Sequence, residues 1–267
     1  LTEHLVARGR RRIAFAAVRA IGGDAARGLF SAALDKNPDP AARRDLLIEV
    51  STETAAVAPT PSASAAVLAD PDATPPLKER ARGQLRRALV EQPDPTIAAL
   101  ADLLALERAP ADVRIFAIAL LRDLDTLPAS VDQLADKVRE AFASRSESVR
   151  AAALPLYARL APARASTDLT ALLADEKQSR QMREAIALAW GEMTRTQREP
   201  AVAALERLLK DPVSAVRAAA ATAYGTLGRV AQDPLIKMVK IERYDVAVGA
   251  AEGLAVTAEV GASVNVA

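Results

Sequence analysis

The sequence predicts an all-α protein, an array of about eight stacked helix pairs, on three observations. Alanine supplies 62 of the 267 residues, so a chain that is 51% hydrophobic but only 3% aromatic draws its apolar content from a small helix former. One short pattern returns along the chain at spacings of 29, 35, 36, 36, 33, 34 and 30 residues. Proline, finally, stands mostly where one helix would stop and another begin.

The recurring pattern is a small or aliphatic residue, usually a basic one next, small residues three and four places on, and an aliphatic or aromatic residue at plus seven. In chain order its anchors are Ala14 (with Ala17, Ile21 and Gly22), Arg43 (Leu46, Val50), Lys78 (Ala81, Leu85) and Arg114 (after Val113, with Ala117 and Leu121). Arg150 follows (Val149, Ala153, Tyr157), then Arg183 (Met182, Trp190, Gly191), Arg217 and Ala247 (Ala250, Leu254). The clearest copy runs from Ala215 to Gly225, where Val216 and Arg217 precede an alanine run.

Offsets of 0, 3, 4 and 7 trace one stripe of an α-helix, so each anchored segment is an amphipathic second helix of a pair. Between consecutive copies lies another stretch of helical period, such as Ala201 to Leu209 or Thr96 to Leu104, which supplies the first helix. The repeats expected from this are 1–22, 24–57, 61–91, 95–124, 128–160, 165–191, 196–227 and 229–257, with 258–267 as a tail or linker.

Asn37 to Pro40, Asp70 to Asp72, Asp94 Pro95, Asp211 Pro212 and Asp233 Pro234 read as junctions, because proline is tolerated in a first helical turn and stops the helix before it. Pro155 is an exception inside a second helix and predicts a kink there. Residues 52–64, rich in Thr, Ser and Pro, predict the least regular part of the array, and Gly261 to Val266 reads as frayed.

A period near 33, two helices per unit, Asp Pro at the turn and Val Arg opening the second helix ahead of alanines together resemble the HEAT repeat family, in the short form of many bacterial and phycobilisome-lyase-like proteins. The resemblance covers essentially the whole chain and is strongest from Arg114 to Arg217. It implies a right-handed α-solenoid, an alpha-alpha superhelix, whose second helices line the concave wall. It also implies a polar ladder of Asp and Arg between neighbouring repeats. The pair stands here as Asp211 and Arg217, as Asp72 and Lys78 and as Asn37 and Arg43, whereas Arg108, Ser144 and Lys177 hold the Asp position in other units.

The inventory for chemistry is small. Thirty-five Lys and Arg against 34 Asp and Glu leave +1, which argues against a partner chosen by bulk charge, nucleic acid in particular. With no cysteine and the single histidine His4, thiolate sites, histidine-ligated metals and a Ser/His/Asp triad lack their parts. Gly22, Gly23 and Gly28 form no phosphate-binding motif, and the pairs Asp123/Asp125 and Asp175/Glu176 sit at helix ends where acids serve as caps. Trp190 falls on the plus-seven position shared with Leu121, Tyr157 and Tyr224, which predicts a core side chain and not a stacking or pigment site. No cofactor or metal is expected, and no catalysis.

What remains is surface charge. Lys78, Arg80, Arg82, Arg86 and Arg87 crowd one second helix, and Arg8 to Arg12 form another basic cluster. Offsets plus eight and nine, pointing off the core stripe, give Arg86, Arg87, Arg122, Asp123, Arg159, Glu192 and Thr226. The sequence thus predicts a non-catalytic scaffold, part of a larger bacterial protein, that binds a protein or peptide on its second-helix face through Lys78, Arg80, Arg86, Arg87, Arg122, Asp123, Arg159 and Glu192. The alternatives it leaves are a nucleic-acid-binding protein related to alkylbase glycosylase scaffolds and a bilin lyase-like accessory protein. No run of residues is long and apolar enough to insert in a membrane, so a soluble and preferably cytoplasmic location is expected.

Overall fold

A computed structural model describes residues 60–264 apart from 125, 242 and 243, with side chains given up to residue 258. His4, the Arg8–Arg12 cluster, Arg43 and the repeats expected at 1–22 and 24–57 lie outside the described residues. Among the described residues the protein is all helical, with no strand.

The helices come in pairs. They are α1 (Pro61–Ala69) and α2 (Pro75–Glu91), α3 (Pro93–Ala105) and α4 (Ala111–Arg122), α5 (Val131–Glu140) and α6 (Glu147–Leu160), α7 (Pro162–Ala174) and α8 (Arg180–Glu192), α9 (Arg198–Leu208) and α10 (Ser214–Tyr224), α11 (Arg229–Ile241) and α12 (Tyr244–Val264). Short 3₁₀ turns, Ala141–Ala143 and Gly225–Leu227, follow α5 and α10.

Local chemistry sets these boundaries. Pro61, Pro75, Pro93 and Pro162 open α1, α2, α3 and α7, where a missing N–H costs nothing. Thr60, Ser146 and Ser179 cap α1, α6 and α8 by accepting from Ala63 N, Val149 N and Met182 N. The irregularity expected across 52–64 does not reach α1, which begins at Pro61 as a capped helix and buries Ala63, Ala65, Val67 and Leu68.

One proline reading differs, that of Pro234. Pro234 is not a junction: it lies inside α11, and the chain breaks earlier, at Gly228. Gly228 has φ 70° and ψ −139°, a conformation open to glycine because it lacks a Cβ. Pro155 is housed inside α6, buried, with the helix running on to Leu160. The last helix also continues to Val264, past the residue 257 at which the final repeat was expected to end.

The chain divides into two compact units, between Val113 and Arg114. In the first, α1 packs on α2 and α3, and Leu68, Leu85, Leu100 and Leu104 are completely buried. In the second, the later helix of each pair packs on the later helix of the next, α6 on α8, α8 on α10 and α10 on α12, while α5, α7, α9 and α11 flank them. Trp190 and Tyr157 are the largest fully buried side chains among the described residues, which makes the tryptophan a core residue.

The α10–α12 contact is made by backbone. A Cβ on Gly249 would lie 2.5 Å from Ala218 O, and one on Gly253 2.4 Å from Ala221 O. The helices meet there with nothing between them, and the Thr222 hydroxyl lies 3.2 Å from Gly249 O.

Candidate protein-interaction surface

The predicted surface residues fall into two clusters, one in each unit. In the first, α2 buries Leu77, Ala81 and Leu85 along one stripe, and this forces its basic residues outward. Arg80, Arg86 and Arg87 are exposed and Lys78 is half-buried. Arg82 is held back from this surface: it pairs with Glu79 one turn away and with Asp112 Oδ2 at 2.9 Å.

In the second unit the ends of α4, α6 and α8 converge. Arg122 Nη2 lies 3.9 Å from Glu192 Oε1, although the two residues belong to helices separated by an intervening pair. Between them Arg159 donates to the carbonyls of Arg122 and Leu124. Those carbonyls at the end of α4 have no intrahelical donor, so a guanidinium is the natural partner for them. Arg159 therefore serves α4, leaving Arg122, Asp123 and Glu192 as the exposed charges of this cluster.

Beyond Glu192 the row becomes uncharged. The Thr194 and Thr226 hydroxyls lie 3.0 Å apart, and Thr226 Oγ1 donates to Gly191 O at 3.1 Å.

Within the second unit runs a polar ladder with a stride close to the sequence period. Arg114 Nη1 donates to Ser144 Oγ at 2.8 Å, and Arg183 Nε to Asp211 Oδ2 at 2.8 Å, each joining one turn to the next pair. The same arginines and their equivalents also reach back to cap their own turns. Arg150 donates to Ser144 O, Arg183 to Gln178 O and Arg217 to Asp211 O, at 2.7, 2.6 and 2.8 Å.

The pairing of Asp211 with Arg217 is thus through the Asp211 backbone, because its carboxylate is taken by Arg183 of the pair before. Ser144 works as a rung despite replacing an acid: its hydroxyl oxygen accepts where a carboxylate would. The Lys177 side chain, itself a cation, offers Arg150 no such acceptor.

Sequence reasoning missed a groove of about 990 Å³ between α5 and α7. Phe142, Leu154, Leu172 and Met182 line its apolar part and Arg139, Glu140 and Asp168 its rim. Tyr157 donates to Asp168 Oδ2 at 3.0 Å, Arg139 Nε donates to the same oxygen at 3.2 Å, and Phe142 meets the Tyr157 ring edge-on at 5.0 Å. Burial, then the hydrogen bond to Asp168, raises the Tyr157 phenol above its ordinary range, so it stays protonated as a donor. These residues are scattered through the sequence, and no spacing announced their meeting.

Among the described residues no cluster of His, Cys, Asp and Glu is arranged to hold a metal ion, and no helix is long and apolar enough to cross a membrane. No family model matches the chain, and no curated protein matches it.

Proposed function

We propose that this chain is a non-catalytic helical-repeat scaffold of the HEAT type, a right-handed α-solenoid that recruits a protein partner through charged clusters on its second helices. The observation that carries this reading is the ladder. Arg114–Ser144 and Arg183–Asp211, each from the same position of its repeat, stand 30 and 28 residues apart and tie two of the turns to the next pair, and Arg82–Asp112, also 30 residues apart, links α2 to α4. Side chains spent on such rungs hold the helix pairs together, and Arg80, Arg86, Arg87, Arg122, Asp123 and Glu192 stand exposed on or at the ends of the second helices, where a partner can meet them.

The partner read from the two clusters is a protein with an acidic segment facing Arg80, Arg86 and Arg87. Where Arg122, Asp123 and Glu192 stand, it would present mixed charge. Affinity capture with the wild-type chain and with an Arg86→Glu, Arg87→Glu variant tests this. A specific protein retained by the former and released by the latter is the expected result. Identical eluates, or none from either, would remove the proposal. The basic face of α2, like the Arg8–Arg12 cluster of the sequence, also favours nucleic acid, and titration of labelled duplex at two salt concentrations separates that case, since phosphate binding weakens steeply with salt.

A further inference from the structure

The groove between α5 and α7 lies where the polar ladder is interrupted. At three turns of the second unit an acceptor side chain holds the N–H two residues on: Ser144 that of Ser146, Asp175 that of Lys177 and Asp211 that of Val213. This makes Asp175, and not Lys177, the counterpart of Ser144 and Asp211. Arg114 bridges to the first of the three and Arg183 to the last. Arg150, the arginine of the intervening pair, does not join Asp175; its Nη1 donates to the carbonyls of Ser144 and Arg145 instead. Both unjoined residues line the groove.

The unmade rung leaves charge behind. Four carboxylates, Asp136, Glu140, Asp168 and Asp175, line the groove against two guanidiniums, Arg139 and Arg150. Asp168 is paired with Arg139, and Asp136 with Arg164. The Asp175 carboxylate accepts only from the Lys177 N–H and the Gln178 amide. Glu140, exposed at the end of α5, has no partner among the described residues. Two carboxylates thus stand without a paired cation beside the apolar floor of Phe142, Leu154, Leu172 and Met182.

We infer that this groove is a second recognition site, for an extended segment of a protein partner that carries large apolar side chains flanked by lysine or arginine. The floor displaces water from the apolar side chains, and Glu140 and Asp175 receive the cations. An extended segment points successive side chains to opposite sides, so apolar and basic residues can face floor and rim together. Arg150, with N–H groups beyond its Nη1 and no carboxylate to bind, offers donors to the main-chain carbonyls of such a segment. At about 990 Å³ the groove has room for several side chains. The inference shares with the proposed function only that the chain binds protein. It uses other residues and the opposite charge, so each can fail alone.

Fluorescence polarisation with a labelled eight-residue peptide, its ends blocked and its two central leucines flanked by lysines, tests this. Saturable binding is expected, about tenfold tighter than for a peptide with glutamates in place of the lysines or serines in place of the leucines. Glu140→Lys and Ala171→Arg, both at exposed positions lining the groove, should each weaken binding about tenfold while the circular dichroism melt stays unchanged. A variant with Arg86→Ala and Arg87→Ala should bind the peptide as the wild type does, which separates this site from the face of α2.

No saturation by about 1 mM peptide overturns the inference. So does equal affinity for either comparison peptide, or unchanged binding in both groove variants. Dimerisation of the chain that Ala171→Arg abolishes would overturn it too, by giving the groove to a second copy.

Discussion

Two stretches of the second unit join neighbouring helices by opposite means. Around α6 and α8 the interior holds the largest buried side chains of the described residues, Tyr157 and Trp190. Between α10 and α12 glycines set the spacing, and Gly249 and Gly253 rest on the backbone of Ala218 and Ala221. One region stabilises by displacing water from large apolar surfaces, the other by close approach of two backbones. The lesson is that a repeat can keep its helix pairing while its filling changes from an indole to a hydrogen atom, provided that the small positions shift in concert.

This contrast can be broken most forcefully at Trp190. Trp190→Ala should cost about 3–5 kcal/mol in urea unfolding, the loss expected for emptying a large buried site. Trp190→Phe should cost markedly less, since the indole Nε1 finds no hydrogen-bond partner among the described residues and its removal sacrifices no bond. Equal losses would mean that the nitrogen has a role in the fold.

At the other contact the smallest possible addition should matter. Gly253→Ala places a methyl against Ala221 O and is expected to cost about 1–3 kcal/mol through forced separation of α10 and α12. A neutral result would show that the two helices have slack. A similar loss, about 1–3 kcal/mol, is expected in chemical denaturation of Arg183→Ala, which takes the guanidinium from a carboxylate only 8% exposed and leaves it the Val213 N–H.

Tyr157→Phe sharpens the comparison at the level of one hydrogen bond, with about 1 kcal/mol lost at neutral pH. Because the folded phenol titrates above its ordinary value of 10.0, the stability it contributes is complete below that pH and declines as pH rises through the folded value. The difference between wild type and Tyr157→Phe should therefore shrink in strongly alkaline solution and stay constant below it. The smallest effect is expected at Gly83, where an added Cβ meets nothing within 4 Å. Gly83→Ala in the middle of α2 should stabilise the protein by about 0.5–1 kcal/mol, visible as a raised melting temperature. The same substitution thus carries opposite signs at two glycines of one chain.

Helical period alone reached the all-helical character, the second helices at Arg114, Arg150, Arg183 and Arg217 and the burial of Trp190, because 3.6-residue spacing and proline chemistry act within a few residues of chain. The basic face of α2 was legible for the same reason. Junctions were less so: Asp233 Pro234 looks like a boundary in the sequence, yet the break belongs to Gly228 and its positive φ.

What only the tertiary structure decided depends on residues brought together from far apart. Arg159 was predicted as a surface charge and is spent on carbonyls of α4, and Ser144 proved able to act as a rung because its hydroxyl lies within reach of Arg114. The groove beside Tyr157 belongs to the same class. A side chain's type and spacing are local properties, but which partner satisfies it, or whether anything covers it, is set by distances that no window of sequence contains.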